Sequence, residues 1–352
     1  MSIQQALASI VEGNDLTREQ SSEILNIIMT GEATDAQIGG FLSAMRVKGE
    51  TSEELAGAAI TMRKLSTKVD LPEIKHLVDT CGTGGSGSKL FNISTAAAFV
   101  ASAAGAIVAK HGNRKMTSFC GSADLLEAAG VKLDLTPNQI SKCIEEVGIG
   151  FMFAPAHHAA MRFAGPVRQE LGIRTMMNVL GPMTNPAGAK RQVIGVFSPD
   201  WQLRIAEVLQ ILGSEHAMVV HSAGLDEIRL DQPTQVVELK KNQITQYSVD
   251  PRDFGINMAE AKELARLSAN SVDESLNLVR ESLTNPSSKA GEIVAINAGA
   301  KDCKSLDDIF EIVTEKEDFY KIKTELEKKI ETFNYSSIEW RPLNYIDLNK
   351  EQ

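Results

Sequence analysis

The stretch that decides the fold is residues 74–109, and at its centre residues 81–89 read CGTGGSGSK. Residues 74–78 are mostly apolar and predict a short strand, while residues 94–104 predict a helix and residues 106–109 a second strand. Strand, glycine-rich loop, helix and strand in this order form the basic unit of a parallel α/β sheet. The stretch therefore predicts an α/β fold with a mostly parallel central sheet.

The same alternation of strand and helix patterns continues along the chain. Apolar runs predict further strands at residues 148–153, 192–197 and 216–221, and periodic patterns predict helices at residues 136–147 and 199–212. The tail beyond residue 318 is highly charged, which predicts a solvated helix. The large part of the chain is therefore one α/β domain.

Residues 1–68 predict a small all-helical N-terminal domain, because no strand pattern interrupts their helical spacing. The sequence has capping boxes at three places in this part: Thr17 with Gln20, Thr34 with Gln37, and Thr51 with Glu54. Pro72 suits a hinge that follows the helices. We therefore place a helical domain at residues 1–68 and an α/β domain at residues 69–352, with part of residues 160–186 packing back on the helices.

Composition excludes several classes of function. The 352 residues are 43% hydrophobic and 23% charged, which is ordinary globular usage, and the net charge is −10. An acidic chain is a poor partner for nucleic acid or an anionic membrane, since both need a basic surface.

The first residues, MSIQQ, lack a signal-peptide pattern, and the longest apolar stretch, residues 96–109, is too short to span a bilayer. The four cysteines lack zinc or disulfide spacing. We expect a cytoplasmic protein.

The glycine-rich loop is suited to binding an anion. Its four glycines within residues 82–87 let the backbone approach a ligand closely, and successive amide groups can surround a phosphate. Asn92, Ser94 and Thr95 follow at the start of the next predicted helix, whose amide groups and dipole also favour a phosphate. Neither the P-loop nor the dinucleotide-binding pattern fits. A flexible loop without function is the alternative interpretation.

A basic segment follows the second predicted strand. Residues 110–115 read KHGNRK, and Thr117, Ser118 and Ser122 add hydroxyl groups. Ligands bind at the carboxyl ends of parallel strands, so this segment and the glycine-rich loop are expected to share one phosphate site. Taken alone, the segment could equally be an ordinary exposed basic loop.

Several motifs, in order, resemble those of one known family. They are GTGG at 82–85, FNIST at 91–95, KHGNR at 110–114, GSAD at 121–124, FAP at 153–155, PVRQELGIR at 166–174, LGPMTNP at 180–186, VVH at 219–221 and GLDE at 224–227. Together they resemble the anthranilate phosphoribosyltransferases of tryptophan biosynthesis over roughly residues 1–300. The resemblance implies a fold of the nucleoside phosphorylase and phosphoribosyltransferase type, and a homodimer formed through the helical domain.

The resemblance also implies two substrates, a metal cofactor and the residues that would bind them. Phosphoribosyl pyrophosphate would contact Gly82, Gly85, Ser86, Leu90, Asn92, Ile93, Ser94, Thr95, Lys110, His111, Gly112, Asn113, Arg114, Lys115, Met116, Thr117, Ser118 and Ser122. Anthranilate would be positioned by Gly82, Asn113 and Arg168. Magnesium, as two ions per subunit, would be held by Ser94, Asp226 and Glu227.

The chemistry of these residue types agrees with the implied roles. Adjacent carboxylates such as Asp226 and Glu227 are natural ligands for a hard cation that also binds substrate phosphates, although a solvated acidic turn has the same composition. Arg168 offers a planar fork for a carboxylate, although ion pairs near Glu170 would also explain an arginine there. His157 and His158 have no third ligand at a useful spacing, so we interpret them as pocket wall.

The chain departs from the family pattern at several positions. Ser86 replaces a usual Asp, Leu90 a frequent Thr and Ala159 a common Pro, and residues 115–117 and 119–120 also differ. Because of these changes, a related phosphoribosyltransferase that uses another aromatic amine as acceptor is an alternative function. A pyrimidine nucleoside phosphorylase and a catalytically silent relative that binds nucleic acid or protein are further alternatives.

Overall fold

The computed structural model of this chain describes residues 1–74, 76–84, 87, 89–114 and 119–299, with the backbone of residues 305–306 and 309–310. The chain divides into two compact units, Met1–Cys303 and Lys304–Gln352. In the second unit, Ser305–Leu306 and Ile309–Phe310 pair as short antiparallel strands, β8 and β9. The helix predicted beyond residue 318 lies outside the described residues.

The N-terminal part of the first unit is helical, as the sequence predicts. Its helices are α1 Ile3–Val11, α2 Arg18–Thr30, α3 Asp35–Lys48 and α4 Ser52–Leu65. The three predicted capping boxes are present, and a fourth joins Ser2 to Gln5. α2 and α4 approach so closely that a Cβ atom on Gly57 would lie 2.1 Å from the Arg18 carbonyl oxygen. Only glycine allows this contact.

The rest of the first unit is built on a seven-stranded sheet. Its strands are β1 Leu77–Gly82, β2 Ile107–Gly112, β3 Ile149–Phe153, β4 Arg191–Gly195, β5 His216–His221, β6 Thr234–Lys240 and β7 Gln243–Val249. Their order in the sheet is β3-β2-β1-β4-β5-β6-β7. The first five of these are mutually parallel, and β6 and β7 are antiparallel additions. The predicted α/β class with a mostly parallel sheet is confirmed.

Helices cover both faces of the sheet. They are α5 Ile93–Ala103, α6 Ser122–Ala128, α7 Pro137–Val147, α8 Ala154–His157, α9 Gly165–Leu171, α10 Met177–Leu180, α11 Asp200–Ile211, α12 Ala261–Ala265, α13 Val272–Thr284 and α14 Lys289–Asn297, with 3-10 helices at Ala159–Phe163, Gly181–Thr184 and Pro251–Phe254. α11 and the helical part share one hydrophobic core, while α5, α13 and α14 enclose another. Within the described part of the chain, no helix has the length and apolar character needed to cross a membrane.

Two predicted strand boundaries were wrong in a way that matters for the site. β1 begins at Leu77 rather than residue 74 and continues to Gly82. β2 continues to Gly112 rather than ending at residue 109. Its pairing with β3 extends through Lys110, so this lysine and His111 belong to a buried strand and not to an exposed turn. Cross-strand pairing, which the local pattern does not contain, extends the strand. β6 and β7 were not predicted, because the outer strand β7 is mostly polar and exposed.

The segment at residues 160–186 packs against α2, α3 and α4. Arg63 on α4 donates a hydrogen bond from Nε to the Met183 carbonyl oxygen at 2.8 Å. A Cβ atom on Gly39 of α3 would lie 3.5 Å from the Val167 side chain. These contacts attach the helices to the edge of the α/β part that carries Arg168 and the motif at 180–186.

Candidate active site

The acidic doublet lies directly against the ends of two central strands. A Cβ atom on Gly82, the last residue of β1, would lie 3.1 Å from Asp226 Oδ2. A Cβ atom on Gly195, the last residue of β4, would lie 1.7 Å from the Asp226 carbonyl oxygen. Asp226 therefore reaches the end of β4 only because Gly195 has no side chain, while at Gly82 a Cβ atom would crowd the Asp226 carboxylate.

Glu227 faces the N-terminus of α5. Its carboxylate accepts a hydrogen bond from the Ser94 backbone N–H, and the Lys110 ammonium also attracts it. Burial, followed by the charge of Asp226, outweighs both and raises the pKa of Glu227 to about 8. The surrounding protein therefore disfavours the ionised form of Glu227, and a bound cation would favour it.

Lys110 links this doublet to the floor of the site. The side chain is 3% exposed, and its Nζ donates a hydrogen bond to the Thr80 carbonyl oxygen. The Thr80 hydroxyl in turn donates to the Ser94 carbonyl oxygen at 2.9 Å. Burial lowers the pKa of Lys110, and the nearby carboxylates of Asp79 and Glu227 oppose that change. Lys110, Ser94 and the doublet thus belong to one site.

The glycine-rich loop starts from the same strand ends. The Thr83 N–H donates to the Gly195 carbonyl oxygen at 2.8 Å, and the Phe197 N–H donates to the Thr83 hydroxyl at 3.3 Å. Gly84 follows with φ of 64°, a left-handed conformation that favours glycine. The structure therefore brings the start of the loop to Asp226, while Gly85 and Ser86 lie outside the described residues.

The side chain of Asn92 is already occupied by internal hydrogen bonds. Its Nδ2 donates to the Cys120 carbonyl oxygen at 3.1 Å, and its Oδ1 accepts from the Ser275 hydroxyl at 2.8 Å. Leu90 pairs with Ser268 in a short antiparallel bridge. These bonds hold the end of the glycine-rich loop on α13 and on the segment before α6. Ile93 and Thr95 are buried, and the Thr95 N–H already donates to the Asn92 carbonyl oxygen at 3.1 Å, so the Ser94 hydroxyl is the group of this segment that remains suited to a ligand.

The turn after β2 is held by α6. The Asn113 carbonyl oxygen accepts from the Ser122 hydroxyl at 3.3 Å, and the Arg114 N–H donates to Asn113 Oδ1 at 2.8 Å. The Arg114 guanidinium forms ion pairs with Asp124 and Glu127. Its charge is therefore balanced by α6, and its predicted contact with a phosphate would have to compete with these carboxylates. Residues 115–118, which include four predicted phosphate contacts, lie outside the described residues.

Three histidines line the space between β2 and the helical part. The rings of His111 and His158 are 5.1 Å apart, and burial, followed by the neighbouring histidines, lowers their pKa values to about 3 and about 4. Both rings are therefore neutral near pH 7. His157 is tied by Nδ1 and its carbonyl oxygen to the backbone of Thr67. In the described part of the chain, no group of three or more His, Cys, Asp or Glu side chains could hold a metal ion. The role of pocket wall stays a prediction.

Arg168 lies half-buried on α9. Among the described residues it forms no ion pair, so the alternative of a structural pair with Glu170 is not observed. Burial lowers the pKa of Arg168, as expected for a cation with reduced access to water. No hydrogen bond in the same residues joins Arg168 to Gly82 or Asn113. An uncompensated guanidinium of this kind suits an anionic ligand.

Sequence reasoning missed two residues of this site, Gly195 and Thr80. Gly195 ends β4 with no motif around it, and only its contact with Asp226 shows why a side chain is excluded. Thr80 precedes the glycine-rich loop and connects Lys110 to Ser94. Gly195 lies inside the strand predicted at residues 192–197, and nothing in the sequence singled it out.

The residues present fit a magnesium ion. Mg²⁺ is commonly held by one or two carboxylates and takes its other ligands from water and substrate phosphates. Asp226 and Glu227 supply the carboxylates, and Ser94 stands beside Glu227. The raised pKa of Glu227 shows that its ionised form is poorly compensated by the protein, and a bound cation would stabilise that form. The predicted metal ligands are thus grouped, and a phosphate would complete the coordination.

Comparison with family models places the chain in one class of enzymes. The model described as "Glycosyl transferase family, a/b domain" matches residues 74–314, and that described as "Glycosyl transferase family, helical bundle domain" matches residues 4–66. A third model, described as "TACO1/YebC second and third domain", matches residues 279–352. The fold and the site thus define a glycosyl transferase with a helical bundle and an α/β domain.

Individual relatives show which family within this class of enzymes the chain is similar to. An anthranilate phosphoribosyltransferase of Cellvibrio japonicus is 54% identical over 305 residues, which are 85% of this chain and 88% of the relative. The crystal structure of the Thermus thermophilus enzyme of the same name is 42% identical, with a TM-score of 0.78 over 84% of this chain and 88% of that chain. The enzyme of Saccharomyces cerevisiae, in complex with PRPP and Mg, is 25% identical, with a TM-score of 0.73 over 84% of this chain and 87% of that chain. This chain belongs to the anthranilate phosphoribosyltransferase family.

Proposed function

We propose that this protein transfers the phosphoribosyl group of 5-phosphoribosyl 1-pyrophosphate to the amine of anthranilate. The products are N-(5-phosphoribosyl)anthranilate and pyrophosphate, in a step of tryptophan biosynthesis. The observation that carries the proposal is the meeting of three features at the ends of β1, β2 and β4: the start of the glycine-rich loop, Lys110 and the Asp226–Glu227 doublet. The yeast relative crystallised with PRPP and Mg supports this choice of donor.

The donor would lie across the glycine-rich loop and the N-terminus of α5. Backbone amides at the loop and the Ser94 hydroxyl favour phosphate oxygens, and the helix dipole of α5 adds to that attraction. Lys110 places a buried positive charge beside the doublet. Bound magnesium, which we propose as two ions per subunit, would neutralise the departing pyrophosphate. The protein itself contributes by clamping the phosphates while the bond to the sugar carbon breaks, through a state with oxocarbenium character.

The acceptor would be oriented by Arg168 and Asn113. The Arg168 guanidinium can bind the anthranilate carboxylate with two parallel hydrogen bonds, and no described ion pair competes for it. His111 and His158, neutral near pH 7, would line the pocket without repelling or protonating the aromatic amine. Attack by the amine generates an ammonium that loses its proton easily. These side chains would therefore act by positioning rather than as strong bases.

We further propose a cytoplasmic homodimer formed through the helical domain. The proposal follows from membership of the family and from the resemblance in the helical domain. Val11 on α1, 75% exposed, and Val47 on α3, 88% exposed, are apolar side chains of this domain that an interface would cover.

The direct test of the proposed reaction follows the loss of anthranilate fluorescence with phosphoribosyl pyrophosphate and magnesium. We expect turnover with anthranilate, and weaker or no pyrophosphate release with other arylamines or with nucleobases. A protein that releases pyrophosphate only with another acceptor would contradict the assignment of anthranilate.

The test of the acceptor site is Arg168→Ala. We expect the KM for anthranilate to rise about tenfold to 100-fold, because hydrogen bonds to charged groups contribute about 1.5 to 3 kcal/mol. The KM for phosphoribosyl pyrophosphate should change far less. The matched control is Arg162→Ala, which removes an exposed arginine that lies over the Phe163 ring in the same segment. Equal increases in both KM values would contradict the role of Arg168.

The test of the metal site is the double variant Asp226→Asn/Glu227→Gln. It keeps the size of both side chains and removes both charges, so turnover and its dependence on magnesium should be lost together. Asp134→Asn, at an exposed acid outside the site, serves as the control. Wild-type turnover in the double variant would remove the doublet from the reaction.

A further inference from the structure

Asp79 lies on β1 beneath the proposed site and is completely buried. Its Oδ1 accepts a hydrogen bond from the His111 N–H at 3.1 Å. Its Oδ2 accepts from Asn185 Nδ2 at 2.8 Å and from Gln192 Nε2 at 3.4 Å. All of these partners are donors. The surroundings therefore suit a side chain that only accepts, which is an ionised carboxylate.

The partners of Asp79 come from separate elements. His111 lies on β2, Gln192 on β4, and Asn185 follows the 3-10 helix Gly181–Thr184. Asn185 is itself fixed, since its Nδ2 also donates to the Ala109 carbonyl oxygen at 2.9 Å. The carboxylate thus joins β1 to the last residues of β2 and to the segment that the helical part holds through Arg63.

Asp79 also supplies negative charge for Lys110. The ammonium is buried, and attraction to Asp79 is the largest influence that opposes the lowering of its pKa. Conversely, Lys110 is the largest influence that opposes the rise in the pKa of Asp79 caused by burial. Two buried charges of opposite sign in one network stabilise each other, and removal of either leaves the other uncompensated.

We propose that Asp79 is a positioning residue for the phosphoribosyl transfer, which fixes the end of β2 so that Lys110 and the following turn face the diphosphate donor. Asp79 does not touch the substrates and acts through His111 and Lys110. The inference rests on the proposed function, because it assigns the diphosphate to this end of β2.

The first variant is Asp79→Asn, which keeps the shape and removes the charge. The new NH₂ group would face a donor, either the His111 N–H or Asn185 Nδ2, so the network must rearrange. We expect the KM for phosphoribosyl pyrophosphate to rise about tenfold or more, because a hydrogen bond between charged groups, such as one from Lys110 to the diphosphate, contributes about 1.5 to 3 kcal/mol. The value of kcat at saturating donor should fall less.

A compensating swap tests the hydrogen bond itself. In Asp79→Asn/Asn185→Asp, the new amide can donate to the new carboxylate, while its oxygen still accepts from the His111 N–H. The new carboxylate can keep the bond from the Ala187 N–H, which Asn185 Oδ1 accepts at 2.9 Å. One oxygen of the new carboxylate would face the Ala109 carbonyl oxygen, which Asn185 Nδ2 contacts in the wild-type protein, so we expect partial recovery of the KM for the donor. Recovery of this kind supports the proposal.

A core variant separates positioning from stability. Ile194→Val removes one methyl group from a completely buried residue of β4, so it should lower the melting temperature and leave both KM values unchanged. If Asp79→Asn lowers stability but leaves the KM for the donor unchanged, Asp79 is merely structural and the proposal fails. If Asp79→Asn does not fold, Asn185→Ala takes its place, because it removes the amide that orients the Asp79 carboxylate. Its melting temperature and its KM for the donor are then compared in the same way. A wild-type protein without turnover refutes the proposed function instead.

Discussion

Gly195→Ala tests whether the meeting of two strand ends with Asp226 creates the metal site. The backbone of Gly195 has no positive φ, so alanine introduces no conformational strain of its own. Its Cβ atom, however, would lie 1.7 Å from the Asp226 carbonyl oxygen and 2.6 Å from the carbonyl carbon. These are backbone atoms, which cannot rotate away as a side chain can. The alanine must therefore displace the segment that carries the acidic doublet.

The size of that displacement sets the expected effect. To reach ordinary contact, the Asp226 carbonyl must retreat by about 1.5 Å. Because a misplacement of 1 Å can cost about 100-fold in rate, we expect at least that loss in kcat/KM. Overpacking of this kind costs about 1 to 3 kcal/mol of stability. At about 2 to 4 °C per kcal/mol, the melting temperature should fall by several degrees and leave a folded protein at 25 °C.

The assay is the initial rate of anthranilate consumption as a function of magnesium concentration, with circular dichroism as the check of folding. We expect Gly195→Ala to need more magnesium for half-maximal rate. The control is Gly165→Ala, because a Cβ atom there meets nothing within 4 Å. If Gly195→Ala keeps the wild-type rate and magnesium requirement, the contact with Asp226 does not shape the site.

Three further predictions concern pH and packing. Because the pKa of Glu227 is raised to about 8, magnesium must displace a proton from Glu227 at lower pH. The apparent affinity of the protein for magnesium should therefore increase by up to about tenfold per pH unit as pH rises toward 8, as measured by titration calorimetry. Burial raises the pKa of Glu50, whose carboxylate oxygens have no hydrogen-bond partner from another described residue. Stability is therefore lost as pH rises above the pKa that Glu50 has in the unfolded chain. Glu50→Gln should raise the free energy of unfolding in urea by about 1 kcal/mol near pH 8 and leave it unchanged near pH 4. Gly57→Ala, whose Cβ would lie 2.1 Å from the Arg18 carbonyl oxygen, should lose about 1 to 3 kcal/mol in the same assay, with both KM values unchanged.

Much of the fold could be predicted because its signals are local. The capping boxes at Thr17, Thr34 and Thr51 involve residues three positions apart, and each is present in the structure. The helix predicted at residues 94–104 is displaced by one residue, and the strand at residues 216–221 has the predicted bounds. Apolar periodicity and hydroxyl caps act within a few residues, so a single sequence contains the information.

Strand ends and the partners of buried charges could not be predicted in this way. The basic segment at residues 110–115 was expected to follow the second strand, but its first residues belong to that strand, because pairing with β3 continues through Lys110 to Gly112. Arg114 was expected to contact phosphate, and its ion pairs with Asp124 and Glu127 are set by the position of α6. Each of these outcomes depends on an element that lies elsewhere in the chain.

By itself, the sequence determined the class of fold, the glycine-rich loop, the basic segment and the acidic doublet, because these depend on residue types and short spacings. The packing of distant elements was needed to show that Asp226 lies against Gly82 and Gly195, that Lys110 is buried beside Glu227, and that Arg168 forms no ion pair with another described residue. The physical reason is that these contacts join residues far apart in sequence. Their geometry follows from how the strands pair and the helices pack, which no local pattern encodes.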